Sequence, residues 1–316
     1  MTLEPPDHPD PRLLERLARL GVSLGVPDEQ RRAHTARPDV VPIESAVPGR
    51  TLSGVRGACY VSDARFEPAH AHGNEILGAA RQAPLAALTS LCRIDRAFVP
   101  DLPRMAFLDV ETTGLSRDAG TYAFLIGAGR FEGDVFRVRQ FFMRDPSGEP
   151  AQLEALLSWL GVDDDLVTFN GRAFDVPVLA GRLGFHRLPR VLDGRANLDL
   201  LPAARRLWRR RLGDCSLGSL ERHVLGFERQ DDIPGWMVPE RYLTYQRSGD
   251  ARPLVGVFRH NLFDVLSMVG LAVWLSRAFA TPGSVLRHGR DWLSLARAYE
   301  RDGERGAVIN ACESAL

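Results

Sequence analysis

The spacing of apolar residues changes several times along the chain, and each change marks an element. Residues 105–115 read Met-Ala-Phe-Leu-Asp-Val-Glu-Thr-Thr-Gly-Leu, an apolar run that suits a buried strand and carries two carboxylates at its end. Residues 121–131 and 135–142 follow as two strands, joined by the hairpin signal Glu132-Gly133-Asp134. Leu153, Leu156, Leu157 and Leu160 then recur at i, i+3, i+4 and i+7, which predicts an amphipathic helix over 149–160. Residues 165–170 form a further short strand, and 176–183 are helix-compatible after Pro177. Pro202 suits the first turn of a helix over 198–211, and 216–226 reads as a short helix stopped by Gly226. The strongest helix spans 258–279, with Leu262, Val265, Leu266, Val269 and Val273 on its apolar side. Strand, hairpin, helix, strand and further helices add up to an α/β domain with a mixed sheet over 105–280.

The flanks read differently. Residues 1–43 are rich in Pro, Asp and Arg and hold one amphipathic patch at 13–20, so a short helix on a partly mobile arm is expected there. Residues 44–104 have globular composition and are expected to pack on the main domain as an extension. Cys59-Tyr60-Val61 suits a strand, and 74–92 suits a helix interrupted near Pro84. Over 285–316, Trp292, Leu295, Tyr299 and Gly303 follow the spacing of a tetratricopeptide helix pair, with Ala307 one position early. A single pair cannot bury its own apolar face, so these helices need a surface to pack on, in this chain or in a protein partner.

Composition narrows the class without naming it. The 316 residues are 45% hydrophobic and 25% charged, with 40 basic and 40 acidic residues and a formal net charge of zero, as in ordinary soluble proteins. Neutrality excludes a chain wrapped in positive potential and leaves room for a local basic groove. All 40 basic residues are Arg, which fits the codon bias of a GC-rich genome. Cys59, Cys92, Cys215 and Cys312 are far apart and form no CxxC pair, so neither a disulfide framework nor a zinc ribbon is indicated. A reducing cytoplasm fits that usage. No uninterrupted stretch reaches the roughly 18 apolar residues of a membrane span, and the N-terminus lacks signal-peptide character, so no membrane association is expected.

Four places carry chemistry. Asp109 and Glu111 lie two apart on a strand and therefore share a face, where like charges repel and need a positive partner. Divalent cations are natural candidates, and a strand end already in solvent is the plainer alternative. Asp175 stands where a strand gives way to a helix, either reaching a site at the sheet's carboxyl edge or capping that helix. His260 and Asp264 are four apart on one helix face, as in many surface pairs. Arg205, Arg206, Arg209 and Arg210 surround Trp208, a cationic face that either tracks phosphates or is paired with nearby acids. His70 and His72 lack further ligands at metal spacing and read as loop or surface residues.

In order, Asp109-x-Glu111-Thr-Thr-Gly, Asn170-x3-Phe174-Asp175 and His260-x3-Asp264 resemble the three motifs of the DEDD 3′-to-5′ exonuclease superfamily. Together with residues 120–127 (Gly-Thr-Tyr-Ala-Phe-Leu-Ile-Gly), 139–142 (Arg-Gln-Phe-Phe), 231–235 (Asp-Asp-Ile-Pro-Gly) and His260-Asn261, they are similar to the bacterial YprB-type branch. That branch has a ribonuclease-H-like domain followed by tetratricopeptide repeats, and the likeness runs over about residues 44–316.

The resemblance implies a ribonuclease-H-like mixed sheet flanked by helices, an N-terminal extension and a C-terminal helical hairpin. It also implies hydrolysis at a free 3′ end of nucleic acid, single-stranded DNA first, with two Mg²⁺ or Mn²⁺ ions. Asp109, Glu111, Asp175 and Asp264 would hold the ions, and His260 would take the proton of the attacking water. Thr112, Thr113 and Leu115 would contact the terminal nucleotide, with Asn170 and Phe174 near the scissile bond. Three residues separate His260 from Asp264, the spacing typical of Tyr-dependent members, so the base is the position where the resemblance departs. An exoribonuclease, a ribonuclease-H-like endonuclease and a non-catalytic nucleic-acid or protein scaffold stay open as alternatives.

Overall fold

A computed structural model describes residues 39–92, 94, 98–114, 120–161 and 164–316. Residues Val41–Leu316 form one compact unit. The helix expected at 13–20, nearly all of the expected arm, and Leu115 lie outside the described residues.

Past a short helix, α1 (Ile43–Ala46), the chain runs through the hairpin β1 (Arg50–Gly54) and β2 (Gly57–Phe66) and the ribbon β3 (Ala71–His72) and β4 (Glu75–Ile76). Pro84 then separates a 3₁₀ turn, Leu77–Gln82, from helix α2 (Ala87–Cys92), where the sequence suggested one interrupted helix. The strands β5 (Met105–Thr112), β6 (Ala123–Glu132) and β7 (Val135–Phe142) follow, β6 and β7 turning at Gly133 with φ of 61°. After them come α3 (Glu149–Trp159), β8 (Asp165–Thr168), α4 (Asp175–Phe185), β9 (Asn197–Asp199) and α5 (Leu200–Leu212). The short α6 (Leu217–Leu220) runs into a π-type turn, Glu221–Leu225, which ends on Gly226 in the left-handed region. Helices α7 (Val238–Ser248), α8 (Leu254–Ala280), α9 (Gly289–Asp302) and α10 (Arg305–Glu313) complete the chain.

Seven strands form one mixed sheet in the order β1-β2-β7-β6-β5-β8-β9. Pairing is antiparallel from β1 to β5 and parallel across β5, β8 and β9. β2 pairs with β7 from Tyr60–Phe142 to Phe66–Phe136, so part of the 44–104 segment extends the sheet itself. The parallel trio matters most for function. Strands running the same way release their chains at the same edge, and that edge gathers the end of β5, the β8-to-α4 junction and the start of α5.

Alternation along β5 sorts its side chains between the layers. Ala106, Leu108 and Val110 join the core shared with α3 and α4, while Met105 and Phe107 join the core built around α8, α5 and α2. Asp109 and Glu111 continue the Met105–Phe107 parity, so the carboxylates face α8. That helix can approach because β6 offers glycine there: a Cβ on Gly127, paired with Asp109, would collide with Asn261, and one on Gly129 would stand 2.6 Å from Val265 Cγ1.

α8 is also the one described helix long and apolar enough to cross a bilayer, although no uninterrupted apolar run stood out in the sequence. Its polar residues cluster near the start and 67% of its most apolar window is buried in the domain, the pattern of a core helix. The C-terminal hairpin α9–α10 turns at Gly303, with φ of 80°, and packs on α5 and α8. Arg211 holds the buried Asp291 at 2.8 Å, and the Tyr299 hydroxyl donates to the Phe279 carbonyl at 2.5 Å. The surface this helix pair needs is thus supplied within the same unit.

Candidate active site

The carboxyl edge of the parallel strands brings the acidic residues within reach of α8. Glu111, His260 and Asp264 each offer a ligand atom, all within 4.8 Å of one another. His260 Nε2 lies 3.6 Å from Asp264 Oδ2. Asp109 and Asp175 stand just outside this trio. Asn261 donates to Asp109 Oδ2 at 2.8 Å, and the Val110 amide donates to Asp175 Oδ1 at 3.1 Å, so each is oriented by one oxygen. Asn261 is itself held by Gln140, whose amide donates to Asn261 Oδ1 at 2.9 Å and to the Phe258 carbonyl at 2.7 Å.

Electrostatics make the cluster uncomfortable without a cation. Burial, then the charges of Asp264, Glu111 and Asp175, push the Asp109 carboxyl well above the usual carboxylate range. Burial, Asp264 and Asp175 do the same to Glu111. Asp175 is raised to about 7, with burial the main cause and Asp199 and Asp264 adding to it against its hydrogen bonds. Glu111 Oε1 is buried and has no hydrogen-bond partner. An orphaned carboxylate oxygen among repelling acids is the donor set that a hard divalent cation satisfies, so the residues present fit Mg²⁺ or Mn²⁺.

One positive group already serves the cluster, and sequence reasoning did not single it out. Arg229 donates to both oxygens of the buried Glu221, at 2.6 and 2.7 Å, to Asp232 at 3.0 Å, and to Asp264. Nothing local marks this arginine among 40. Asp232 belongs to the 231–235 loop, for which no catalytic role was expected, yet its oxygens lie 3.0 and 3.1 Å from His260 Nδ1. Arg229 Nη1 lies 3.2 Å from the same nitrogen, and both groups converge on Asp232 Oδ2. Two donors sharing an acceptor put the imidazole proton on Nδ1 and leave Nε2 facing Asp264 and Glu111. Burial disfavours the protonated ring, but the Asp232 hydrogen bond and the charges of Asp264 and Asp232 outweigh it and raise the His260 pKa. Burial likewise opposes ionisation of Asp232, and the bond and charge of His260, with Arg229, hold its pKa low.

The remaining predicted residues lie around this centre. The Thr112 hydroxyl donates to the Gly114 carbonyl at 2.7 Å, and the Thr113 hydroxyl accepts from the Tyr122 amide at 3.1 Å. Both hydroxyls therefore serve the loop that opens at the bulge between Glu111 and Thr112. Asn170 is exposed with φ of 68°, and Phe174 is half-buried against the α3–α4 core. Buried Asp199 fixes their loop, accepting from the Asn170 amide at 2.8 Å and the Arg172 amide at 3.2 Å while capping α5 at Leu201. An Asp just before a Pro-containing helix start is a readable capping signal, and it identifies that residue. His72 is no surface residue: it is buried, lies 2.7 Å from the Ser267 hydroxyl, and has its pKa pushed down to about 3 by burial.

The family model RNase_H_2, described as RNase_H superfamily, matches residues 106–276, more than half of the chain. The chain belongs to the RNase_H superfamily. The matched residues of this RNase_H domain run from β5 to α8 and take in every acidic residue of the cluster. An uncharacterized protein YprB of Bacillus subtilis (strain 168) is 34% identical over 209 residues, which cover 66% of this chain and 50% of that protein. The chain thus spans about half the length of this curated relative. Among solved structures, the family B DNA polymerase of Pyrobaculum calidifontis matches 66% of this chain and 30% of its own, at 20% identity and a TM-score of 0.43.

Proposed function

We propose that this RNase_H-superfamily chain is a metal-dependent nuclease that hydrolyses phosphodiester bonds from free 3′ ends, with single-stranded DNA as its first substrate. The observation that carries this reading is the buried, unpartnered Glu111 oxygen within 4.8 Å of ligand atoms of His260 and Asp264, beside two further carboxylates. Asp109, Glu111, Asp175 and Asp264 would hold two ions, Mg²⁺ or Mn²⁺. Bound there, such ions supply Lewis-acid activation of water and stabilisation of the leaving oxygen.

The protein's own groups do the rest. His260 accepts a proton at Nε2, and Asp232 keeps the ring oriented through Nδ1 and stabilises the imidazolium. Asn261 and the Val110 amide hold Asp109 and Asp175 in place. The loop at 170–174 is pinned by Asp199, and Asn170 and Phe174 would stand near the bond to be cut, while Thr112, Thr113 and Leu115 would contact the terminal nucleotide. The four free cysteines suit a reducing cytoplasm.

Digestion of 5′-labelled DNA, RNA, hybrid and circular substrates with Mg²⁺ or Mn²⁺ tests the reading. The wild type shortens linear single-stranded DNA stepwise from its 3′ end, and Asp109→Ala or Asp264→Ala stops it. Equal degradation by wild type and variants sinks the assignment, preference for RNA moves it to an exoribonuclease, and cutting of circles moves it to an endonuclease. One observation favours a second reading, a non-catalytic binding scaffold: Arg229 on Asp264 compensates part of the acidic charge without metal. That reading predicts no turnover on any substrate of the panel.

A further inference from the structure

The arginine face of α5 does not stand alone. Arg205, Arg206, Arg209 and Arg210 line one side of an open groove of about 590 Å³, and Arg297 and Arg301 of α9 line the other. Among the described residues, Glu300 is the sole acid lining it. Arg206 is tied to the Leu91 carbonyl. Arg205, Arg209, Arg210, Arg297 and Arg301 have neither an ion pair nor a hydrogen bond among the described residues. An ordinary solvated helix face would pair such charges with neighbouring acids, as this chain does elsewhere: Arg211 on the same helix pairs with Asp291 of α9. The charges left open repel one another across the groove.

We infer that this groove binds the phosphodiester backbone of a single nucleic-acid strand at a distance from the carboxylates. Three features favour that occupant. Arg205 and Arg209, Arg206 and Arg210, and Arg297 and Arg301 each repeat at four residues, about 6 Å along a helix, so the charges form ladders suited to a polymer. The groove is concave, whereas a bilayer surface needs a flat or convex face. It is also joined to the site: α5 is capped by Asp199, whose carboxylate pins the 170–174 loop, and Arg205 lies about 9 Å further along that helix. In a chain of zero net charge, this concentrates positive potential beside the acidic edge.

The assignment rests on the nuclease reading for the identity of the polyanion, and it is tested without turnover. A 5′-labelled single strand is titrated with the full chain in EDTA across a salt series, by fluorescence anisotropy. Arg297→Ala with Arg301→Ala weakens binding on the order of tenfold at about 0.1 M salt and flattens the log–log salt slope by about 1.4, two contacts at about 0.7 each. The Arg297→Lys/Arg301→Lys pair keeps most of the affinity, and an unchanged thermal midpoint in the alanine pair shows an intact fold. Equal affinity and slope in wild type and alanine pair overturn the inference. So does capture by phosphatidylserine vesicles without binding of the strand. Absence of hydrolysis in the wild type sinks the nuclease reading and leaves this binding result standing.

Discussion

Two clusters of like charge, one acidic and one basic, are managed in opposite ways. At the carboxyl edge of β5, Asp109 and Glu111 face α8 and Asp175 stands beside them, and burial together with the charge of Asp264 raises all three pKa values. Between α5 and α9, five arginines stand open to water with no partner among the described residues. Exposed like charges are cheap, because water and salt screen them within about 8–10 Å. Buried like charges are not, and here, among the described residues, they are retained with Arg229 on Asp264 and His260 between Asp232 and Asp264 as internal counter-charges. The acidic cluster therefore stores a demand for cations, and the basic groove advertises for anions at little cost to the fold.

Breaking the counter-charge should have the largest effect. Arg229→Ala leaves Glu221 buried and uncompensated, and costs about 3–5 kcal/mol of stability in EDTA, measured by urea unfolding. A loss below about 1 kcal/mol would mean that the acids do not depend on this guanidinium.

Relieving the repulsion should act the other way. Asp175 ionises near 3.9 in an unfolded chain and at about 7 in the fold. A carboxylate whose pKa is raised by folding takes stability away as pH climbs from the unfolded value to the folded one, and the loss is complete above about pH 7. Asp175→Asn keeps an acceptor for the Val110 amide and removes the charge. It should stabilise the metal-free protein by on the order of 4 kcal/mol at pH 8 and by far less at pH 4. A gain independent of pH would assign the effect to packing. The groove gives the smallest change, since Arg297→Ala with Arg301→Ala should leave stability within about 0.5 kcal/mol while altering strand binding.

The contrast also separates what the sequence disclosed from what it did not. The apolar run ending in Asp109-x-Glu111 fixed the parity of β5, and the four-residue spacing of His260 and Asp264 put both on one helix face. Local periodicity carries such information. The bonds of Asp232 to His260 and of Arg229 to Glu221 join positions whose relation only the folded chain creates, through the π-type turn after α6 and the loop before α7. In a chain whose basic residues are all arginine, the one that serves the acids looks like the rest. Arg297 and Arg301 were hidden for another reason: the hairpin that carries them read as a packing element, and only its docking on α5 sets their charges opposite Arg205 and Arg209. The β1–β2 hairpin likewise showed a strand at Cys59–Val61 in sequence, but its place beside β7 is a long-range pairing.

The central claim is that the acidic edge is built for a divalent cation, and thermal unfolding with and without Mn²⁺ at pH 8, free of nucleic acid, tests it most directly. Wild type should gain about 2.7 kcal/mol at a hundredfold excess over the dissociation constant, seen as a rise in Tm, and Asp109→Asn should lose most of that gain. No rise in the wild type, or an equal rise in the variant, would contradict the account.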